Sequence, residues 1–389
     1  MNKIQSALDG KMRQYGMVFA LFTVVILFQV LTDGILLMPL NISNIIQQNG
    51  YIMILACGMM LCILTGGNID LSVGSVAGFV GAVTAIFVLR MDMPVPLAIF
   101  LGLLIGIAIG CWHGFWIAYV GVPAFIATLA GLLIFRGLTM AMLQGVSIAP
   151  LPRDYTFIAA GFVPDTRGAG GFMMLTVIVA AAACLMLVIW QILARRKRQS
   201  YGFDVPHIAL FAIQLAIVCG VILFFATRLA QHNGMPMVLV VVTMLVIIYS
   251  FITMKTTFGR RIYAFGGNPI AARLSGINTK HLMFLVYANM GLLSALAGIV
   301  FTGRLNSATP RGGTGFELDA IAACFIGGAS TTGGVGTIVG AIIGGLLMGV
   351  LNNGMAIMGV SIDWQQAIKG IVLLVAVAFD VLSKRRQRA

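Results

Sequence analysis

Charged residues are scarce in this sequence, and acidic residues are the scarcest of them. Of its 389 residues 9% are charged, eleven are acidic, and Glu317 is the one glutamate. These few acids form no pair of groups at a spacing that general acid–base or nucleophilic chemistry uses. The composition therefore argues against an enzyme.

Motifs for nucleotide and metal binding are also absent. There is no GxxxxGK[ST], so the chain lacks a P-loop to hold the phosphates of ATP, and there is no HExxH. The four histidines are scattered, and the six cysteines lie in apolar runs at no metal-ligand spacing, as small buried hydrophobes do. We therefore expect neither a metal nor another cofactor in this chain.

Long apolar runs dominate the chain, which is 60% hydrophobic. A membrane-spanning helix needs about 20 apolar residues. Apolar runs lie near 16–32, 49–65, 72–89, 95–119, 124–143, 172–193, 206–227, 235–254, 282–302, 319–330, 336–352 and 364–382. This pattern predicts an all-α polytopic membrane protein of about twelve transmembrane helices, with a single domain over residues 1–389. The run at 319–330 is short, as a broken or half-length helix would be.

Basic residues lie mainly between and beside these runs. They gather near the N-terminus, in RRKR at 195–198, at 255–280 and in the tail at 384–388. By the positive-inside rule all four segments are cytoplasmic, so both termini are cytoplasmic. The loop at about 144–171 is then expected outside. The net charge of +13 reflects this topology and does not indicate nucleic-acid binding.

Five polar residues within or between the runs are candidates for a translocation path. Asn68, Asp70 and Ser72 lie between the second and third runs, and Asn289 and Asn352 lie in later runs. An ionisable group at membrane depth is a functional candidate by default. Asp70 also falls where the N-cap of the next helix is due, and the sequence favours that plainer interpretation.

Other features allow a structural explanation beside a functional one. Arg136 and Lys369 lie near the ends of runs, where we expect them to snorkel to the interface. Glycines at 336–345 suit a dimer or channel-lining face, or ordinary packing within one chain. VGSVAG at 73–78 resembles VGTIVG at 335–340, through either an internal repeat or chance.

The segment GGNPIAARLSGIN at 266–278 is too polar to span a membrane. Asn268 is a good N-cap, Pro269 suits the first helical position, and Gly276 suits the left-handed residue that ends a helix. The pattern predicts a cytoplasmic helix of about two turns, from Pro269 to Ser275. A helix this short is marginal alone, so something should pack against it.

Four segments together resemble the permease subunits of bacterial ATP-binding-cassette importers for monosaccharides. They are FGRRIYAFGGNPIAARLSGI, GGNIDLSVGS, VPAFIATLAGLLIFRG and IGGASTTGGVGTIVGA. The resemblance covers about 40–382, and the additional material at about 172–250 is similar to the longer xylose-type members. It implies an inner-membrane permease for a pentose or hexose, such as xylose, arabinose or galactose, with ATP and Mg²⁺ on a partner subunit.

The resemblance also implies partners and site residues. The short helix would be a coupling helix between spans 8 and 9 that contacts the ATP-binding subunit through Asn268, Ala271, Ala272, Arg273, Ser275, Gly276 and Ile277. Two copies of the chain would flank one path within the lipid. An external sugar-binding protein would dock on charged outer loops, which carry Arg153, Arg167, Arg304 and Arg311. The competing hypothesis is an ion-coupled secondary sugar transporter, for which Asp70 is the available titratable group.

Overall fold

The computed structural model describes residues 2–164, 172–203 and 207–388, and this part of the chain is built from helices. Its α-helices are α1 (Asn2–Leu31), α2 (Pro39–Leu64), α3 (Val73–Leu89), α4 (Val95–Phe115), α5 (Ala124–Leu143), α6 (Arg153–Ala160), α7 (Met174–Ser200), α8 (Ile208–Ala230), α9 (Met237–Lys255), α10 (Thr257–Gly267), α11 (Pro269–Leu274), α12 (Thr279–Leu305), α13 (Phe316–Ile326), α14 (Ile338–Ile357) and α15 (Ile362–Arg388). A π-helical turn, Trp116–Val120, extends α4.

Eight of the helices in the described ranges are long and apolar enough to cross a membrane, namely α2, α4 with its π turn, α5, α7, α8, α9, α12 and α14. The apolar part of α1, Gly16–Leu31, and α3 are shorter. Each apolar run of the sequence falls on a helix, because only a helix satisfies its own backbone groups in lipid. The prediction of an all-helical membrane protein is confirmed.

Two long and largely buried helices, α2 and α12, form the centre of the molecule and run antiparallel. Gly58 of α2 lies against Met290 of α12, whereas Tyr51, earlier in α2, lies against Phe301, later in α12. From Ile52 to Leu64 every residue of α2 is buried. An apolar helix that is buried on all sides belongs in a core rather than at a lipid-facing surface.

The short helices α3 and α13 begin side by side inside the molecule and diverge. Gly74, in the first turn of α3, touches the Gly313 carbonyl and the Glu317 carboxylate at the start of α13. From there α3 follows α12, where Ala77 meets Gly298. In the other direction α13 follows α2, with Phe316 stacked on Tyr51 at 3.8 Å and Cys324 Sγ 3.4 Å from the Ala56 carbonyl oxygen.

This arrangement bears on two open points of the sequence analysis. The run at 319–330 is indeed a short helix, α13, which is preceded by a loop at 306–315. Of the similar segments, VGSVAG begins α3 and VGTIVG runs into the first turn of α14. In space, the start of α3 lies beside the start of α13. The glycine face of α14 packs within the chain, because Gly340 lies against Gly327 and Gly344 against Ala323.

The helices α7 and α8 pair with each other at the edge of the molecule, and almost none of their apolar stretches is buried. Trp190 and Ile208 are 61% and 67% exposed. A contiguous apolar surface of this kind is what a membrane protein presents to lipid. The hairpin of α7 and α8 therefore adds to the lipid-facing surface, and its apolar residues contribute little to the buried core.

The bundle has two ends that matter for function. The α11 end, as we call it, carries α10, α11 and the loops at 65–72 and 327–337. The α6 end carries α6 and the loop at 144–152, where Ile148 pairs with Ala308 and the Asn306 side chain accepts a hydrogen bond from Leu151 N at 2.8 Å.

Candidate functional site

The short polar helix that the sequence predicts is present as α11. The side-chain oxygen of Asn268 accepts hydrogen bonds from the amides of Ile270 and Ala271, each at 3.0 Å, and so caps the helix. At the other end Gly276 has φ +82°, and its amide and that of Ile277 bond to the carbonyls of Arg273 and Ala272. This pair of bonds is a Schellman motif, so both ends of a helix of six residues are closed by local signals.

The exposed surface of α11 is partly apolar. Ile270 and Leu274 are 74% and 84% exposed. They are four residues apart and so share one face of the helix. The sequence analysis did not select them, although the i, i+4 spacing of two apolar residues is visible in PIAARL.

The residues that were predicted to contact a partner divide between the two sides of this helix. Asn268, Ala271, Arg273, Ser275 and Gly276 are exposed and Ile277 is half-buried. Ala272 is buried against the protein's own helices, so its methyl group positions α11 and does not face outward.

Among the candidate path residues, Asp70 and Ser72 are bound to each other. Both are buried, and Asp70 Oδ1 accepts from the Ser72 amide at 2.8 Å and from the Ser72 hydroxyl at 2.6 Å. Asn68 donates to the Thr65 carbonyl at 2.7 Å. These bonds shape the turn that leads into α3. The prediction that Asp70 is the N-cap of α3 is wrong, because Ser72 holds that position and no side chain in the described part of the chain caps the helix.

The other two candidates lie on separate helices. Asn289 of α12 accepts a hydrogen bond from the hydroxyl of Tyr249 on α9. Its Nδ2 and the Oδ1 of Asn352, on α14, are buried and have no hydrogen-bond partner within the described ranges. Buried amides without partners are uncommon in proteins. Among the described residues, no hydrogen bond joins Asn289 or Asn352 to the group of Asn68, Asp70 and Ser72.

A charged cluster that the sequence analysis missed lies at the start of α13. Lys369 Nζ of α15 is 3.0 Å from Asp319 Oδ1, and the Tyr51 hydroxyl donates to Asp319 Oδ2 at 3.3 Å. The expectation that Lys369 snorkels to the interface is wrong, because its ammonium group turns inward to this buried carboxylate. The pair links the last helix to the short helix α13.

A second acid and base lie near this pair and are not joined to each other by a hydrogen bond in the part of the chain described. Glu317 Oε2 and Arg136 Nη2 are both buried without a hydrogen-bond partner there. Arg136 thus does not extend its whole guanidinium to the interface either, contrary to the expectation from its sequence position.

The arginines that were predicted for binding-protein docking differ in accessibility. Arg153 and Arg311 are exposed at or near the α6 end, whereas Arg304 is half-buried with its Nε enclosed. Arg167 lies outside the described residues. Beside Arg153 is an open cleft of about 510 Å³ that is also lined by Phe157, Phe162 and Asn233.

A buried tyrosine fixes this surface to the bundle. The hydroxyl of Tyr155, on α6, is 2.7 Å from the Thr84 hydroxyl on α3. Burial raises the pKa of Tyr155, so its phenol stays protonated at physiological pH.

No group of three or more His, Cys, Asp or Glu side chains in the described ranges is arranged to hold a metal ion.

Comparison with known proteins gives a consistent result over almost the whole chain. Residues 41–377 match a family model described as branched-chain amino acid transport system / permease component. The xylose transport system permease protein XylH of Escherichia coli K12 is 38% identical over 374 residues, which cover 95% of this chain and 92% of XylH.

Two ribose permeases are similar to a comparable extent. The ribose import permease protein RbsC of Bacillus subtilis 168 is 38% identical over 372 residues, covering 96% of this chain and 94% of that protein. The protein of the same name from Escherichia coli K12 is 36% identical over 340 residues, covering 87% and 85%. No solved structure matches.

Proposed function

Since the chain belongs to the family of permease components of branched-chain amino acid transport systems, we propose that it is the membrane-spanning subunit of an ATP-driven monosaccharide importer. Two named relatives transport xylose and ribose. The substrate class is accordingly a pentose or hexose. The chain performs no chemistry on the sugar, and a separate subunit binds Mg²⁺-ATP and hydrolyses it.

The structural observation that best supports this proposal is the exposed apolar pair on α11. A helix of six residues with closed ends presents Ile270 and Leu274 to solvent at the end of the molecule where basic residues cluster. Burying one such side chain stabilises a complex by about 1.5–3 kcal/mol. We assign α11 as the coupling helix and the ATP-binding subunit as the partner that covers these two residues.

The proposal includes a topology of twelve spans in the bacterial inner membrane. Eight crossings, by α1 to α5 and α7 to α9, precede α10 and α11, and four follow. The half-length helices α3 and α13 complete their crossings with the loops at 65–72 and 306–315. Both termini and the α11 end are then cytoplasmic, as the positive-inside rule requires.

Transport in this scheme needs partners on both sides of the membrane. Two copies of the chain enclose the path, and a sugar-binding protein docks at the α6 end, where Arg153 and Arg311 are accessible. ATP and the binding protein act by their different affinities for the outward- and inward-open states. Asn289 and Asn352 are candidates to line the path, because Nδ2 of the first and Oδ1 of the second are buried without a partner among the described residues.

The test is association with the ATP-binding subunit and sugar uptake in cells, using Leu274→Glu. We expect the variant to bind the subunit at least ten-fold more weakly, because it loses a buried apolar contact and adds a charge. The matched control is Phe203→Glu, which places the same charge at an apolar side chain that is 66% exposed, away from α11.

The outcomes separate the proposal from its competitor. Loss of association and uptake in Leu274→Glu alone supports the importer. If the wild-type chain binds no ATP-binding subunit, and its uptake stops when the proton gradient is collapsed, the chain is an ion-coupled transporter and the proposal fails.

A further inference from the structure

Three chain segments meet backbone to backbone at the α11 end, and we call their meeting point the glycine junction. They are the end of α2 at 64–67, the end of α10 at 263–267, and the loop at 330–336 that follows α13. The Gly334 amide donates to the Leu64 carbonyl at 3.0 Å. A methyl group added to Gly266 would be 2.5 Å from Gly334 N, and one added to Gly334 would be 2.8 Å from Gly267 N.

There is therefore no room for a side chain between these three backbone segments. Contacts of this closeness cannot absorb a displacement by changing a rotamer, because backbone atoms face backbone atoms. A movement of α10 must either carry the loop at 330–336 with it or break the contact.

One side chain ties α10 to this loop by a hydrogen bond. Tyr263 is half-buried, and its hydroxyl donates to the Gly336 carbonyl at 2.8 Å. Burial raises the pKa of Tyr263, which keeps the phenol protonated and able to donate. Tyr263 lies five residues before Asn268, the cap of α11, so it acts on the helix that carries α11.

On its other side the loop joins α13, which reaches the interior of the bundle. The hydroxyls of Ser330 and Thr332, 2.8 Å apart, stiffen the loop. At the far end of α13, Asp319 is paired with Lys369 of α15 and bonded to Tyr51 of α2. A displacement of the loop would reach this charged cluster along α13, in which Asp319 lies about two turns before the last residue, Ile326.

We propose that the glycine junction transmits movement of α11 to α13, and that Tyr263 is the positioning residue which keeps α10 and the loop moving together. This inference rests on the proposed function, because it needs α11 to be moved by an ATPase. It assigns α13 as the element in the membrane that responds to the ATP cycle.

The experiment compares Tyr263→Phe with Tyr201→Phe in the assembled transporter in proteoliposomes with its binding protein and sugar. Each change removes one tyrosine hydroxyl, but that of Tyr263 bonds to the loop at 330–336, whereas Tyr201 lies just after α7 and is 68% exposed. The readout is sugar transported per ATP hydrolysed. The loss of one neutral hydrogen bond changes an equilibrium constant by a factor of about five. We expect Tyr263→Phe to bind the ATP-binding subunit normally but to transport about five-fold less sugar per ATP, with Tyr201→Phe at the wild-type ratio.

Each result decides the inference. A wild-type ratio for Tyr263→Phe, or equal losses in both variants, overturns it and leaves the proposed function intact. Absence of ATPase binding by the wild type overturns both. If Tyr263→Phe does not assemble, Thr332→Val replaces it in the comparison. This change removes a hydroxyl that stiffens the same loop, and it lies at an exposed position. A ratio reduced about two-fold supports transmission, and an unchanged ratio overturns it.

Discussion

Lys369 and Asp319 lie 50 residues apart in the chain, and nothing local in the sequence connects them. Each taken alone resembles an interfacial charge. Their pairing depends on α13 and α15 lying side by side, which is a tertiary fact. Removing one member of a buried ion pair costs about 3–5 kcal/mol, since the other charge is left uncompensated.

The first prediction concerns this pair. Lys369→Met should lower the apparent Tm of the purified protein by more than the double variant Asp319→Asn with Lys369→Met, because the double variant leaves no unpaired charge. Differential scanning fluorimetry in one detergent provides the measurement. Lys255→Met, at an exposed lysine, is the control and should change little. A double variant as unstable as the sum of the two single variants would contradict this account.

Asp70 is the residue at which the importer and the ion-coupled transporter make opposite predictions. Its Oδ1 accepts two hydrogen bonds from Ser72, and an asparagine oxygen can accept both. Asp70→Asn should therefore keep uptake within about two-fold of wild type, whereas Asp70→Ala loses the hydrogen bonds that shape the turn and about 1 kcal/mol of stability. Uptake of labelled sugar, with and without a protonophore, checks this. Uptake that fails in Asp70→Asn and tracks the proton gradient in wild type would point to a titrating Asp70.

Among elements, α11 could be predicted to within a residue because its signals are local. Asn268, Pro269 and Gly276 lie next to the backbone groups that they affect. By contrast, α6 was hidden in what the sequence presents as an outer loop, and it is held by Tyr155 bonding to Thr84 of α3. The shared starting point of α3 and α13 was equally hidden, because it depends on Gly74 meeting Gly313 across the fold.

The helix-ending glycine of α11 gives the prediction at this scale. Gly276→Ala places a side chain at φ +82° with open space around it, so backbone strain is the only cost. Strain of about 1 kcal/mol should weaken binding of the ATP-binding subunit about five-fold. Gly267→Ala is the matched control, because it also has open space but no positive φ. Equilibrium binding to the purified subunit measures both, and equal weakening would show that the Schellman motif is irrelevant to the contact.

For the molecule as a whole, the apolar runs predict which segments are helices but not how they are arranged. Both α2, which is buried in the centre, and α8, which is exposed at the edge, are apolar enough to cross a membrane, and the buried helix is the less apolar of the two. Small residues decide which helices pack in the centre, since Gly58 lets α12 approach α2 closely. The candidate site was predictable to the same extent, because α11 is a local structure and the charged cluster around α13 is not.

Orientation in the membrane is the whole-molecule prediction on which the function depends. In right-side-out vesicles, Arg311→Cys should react with a membrane-impermeant maleimide, whereas Arg273→Cys should react only after the membrane is permeabilised. Both side chains are exposed, so a difference reports on sidedness and not on burial. The native cysteines are buried or half-buried, and the unmodified chain gives their background labelling.

The labelling of Arg273→Cys has a direct consequence for mechanism. Protection in sealed vesicles places Ile270, Leu274 and the glycine junction on the side where ATP is available, so an ATPase can act on α11. Labelling from outside would put α11 beyond the reach of any ATP-binding subunit. The exposed apolar pair would then need a partner outside the membrane, and the importer mechanism would have to be abandoned.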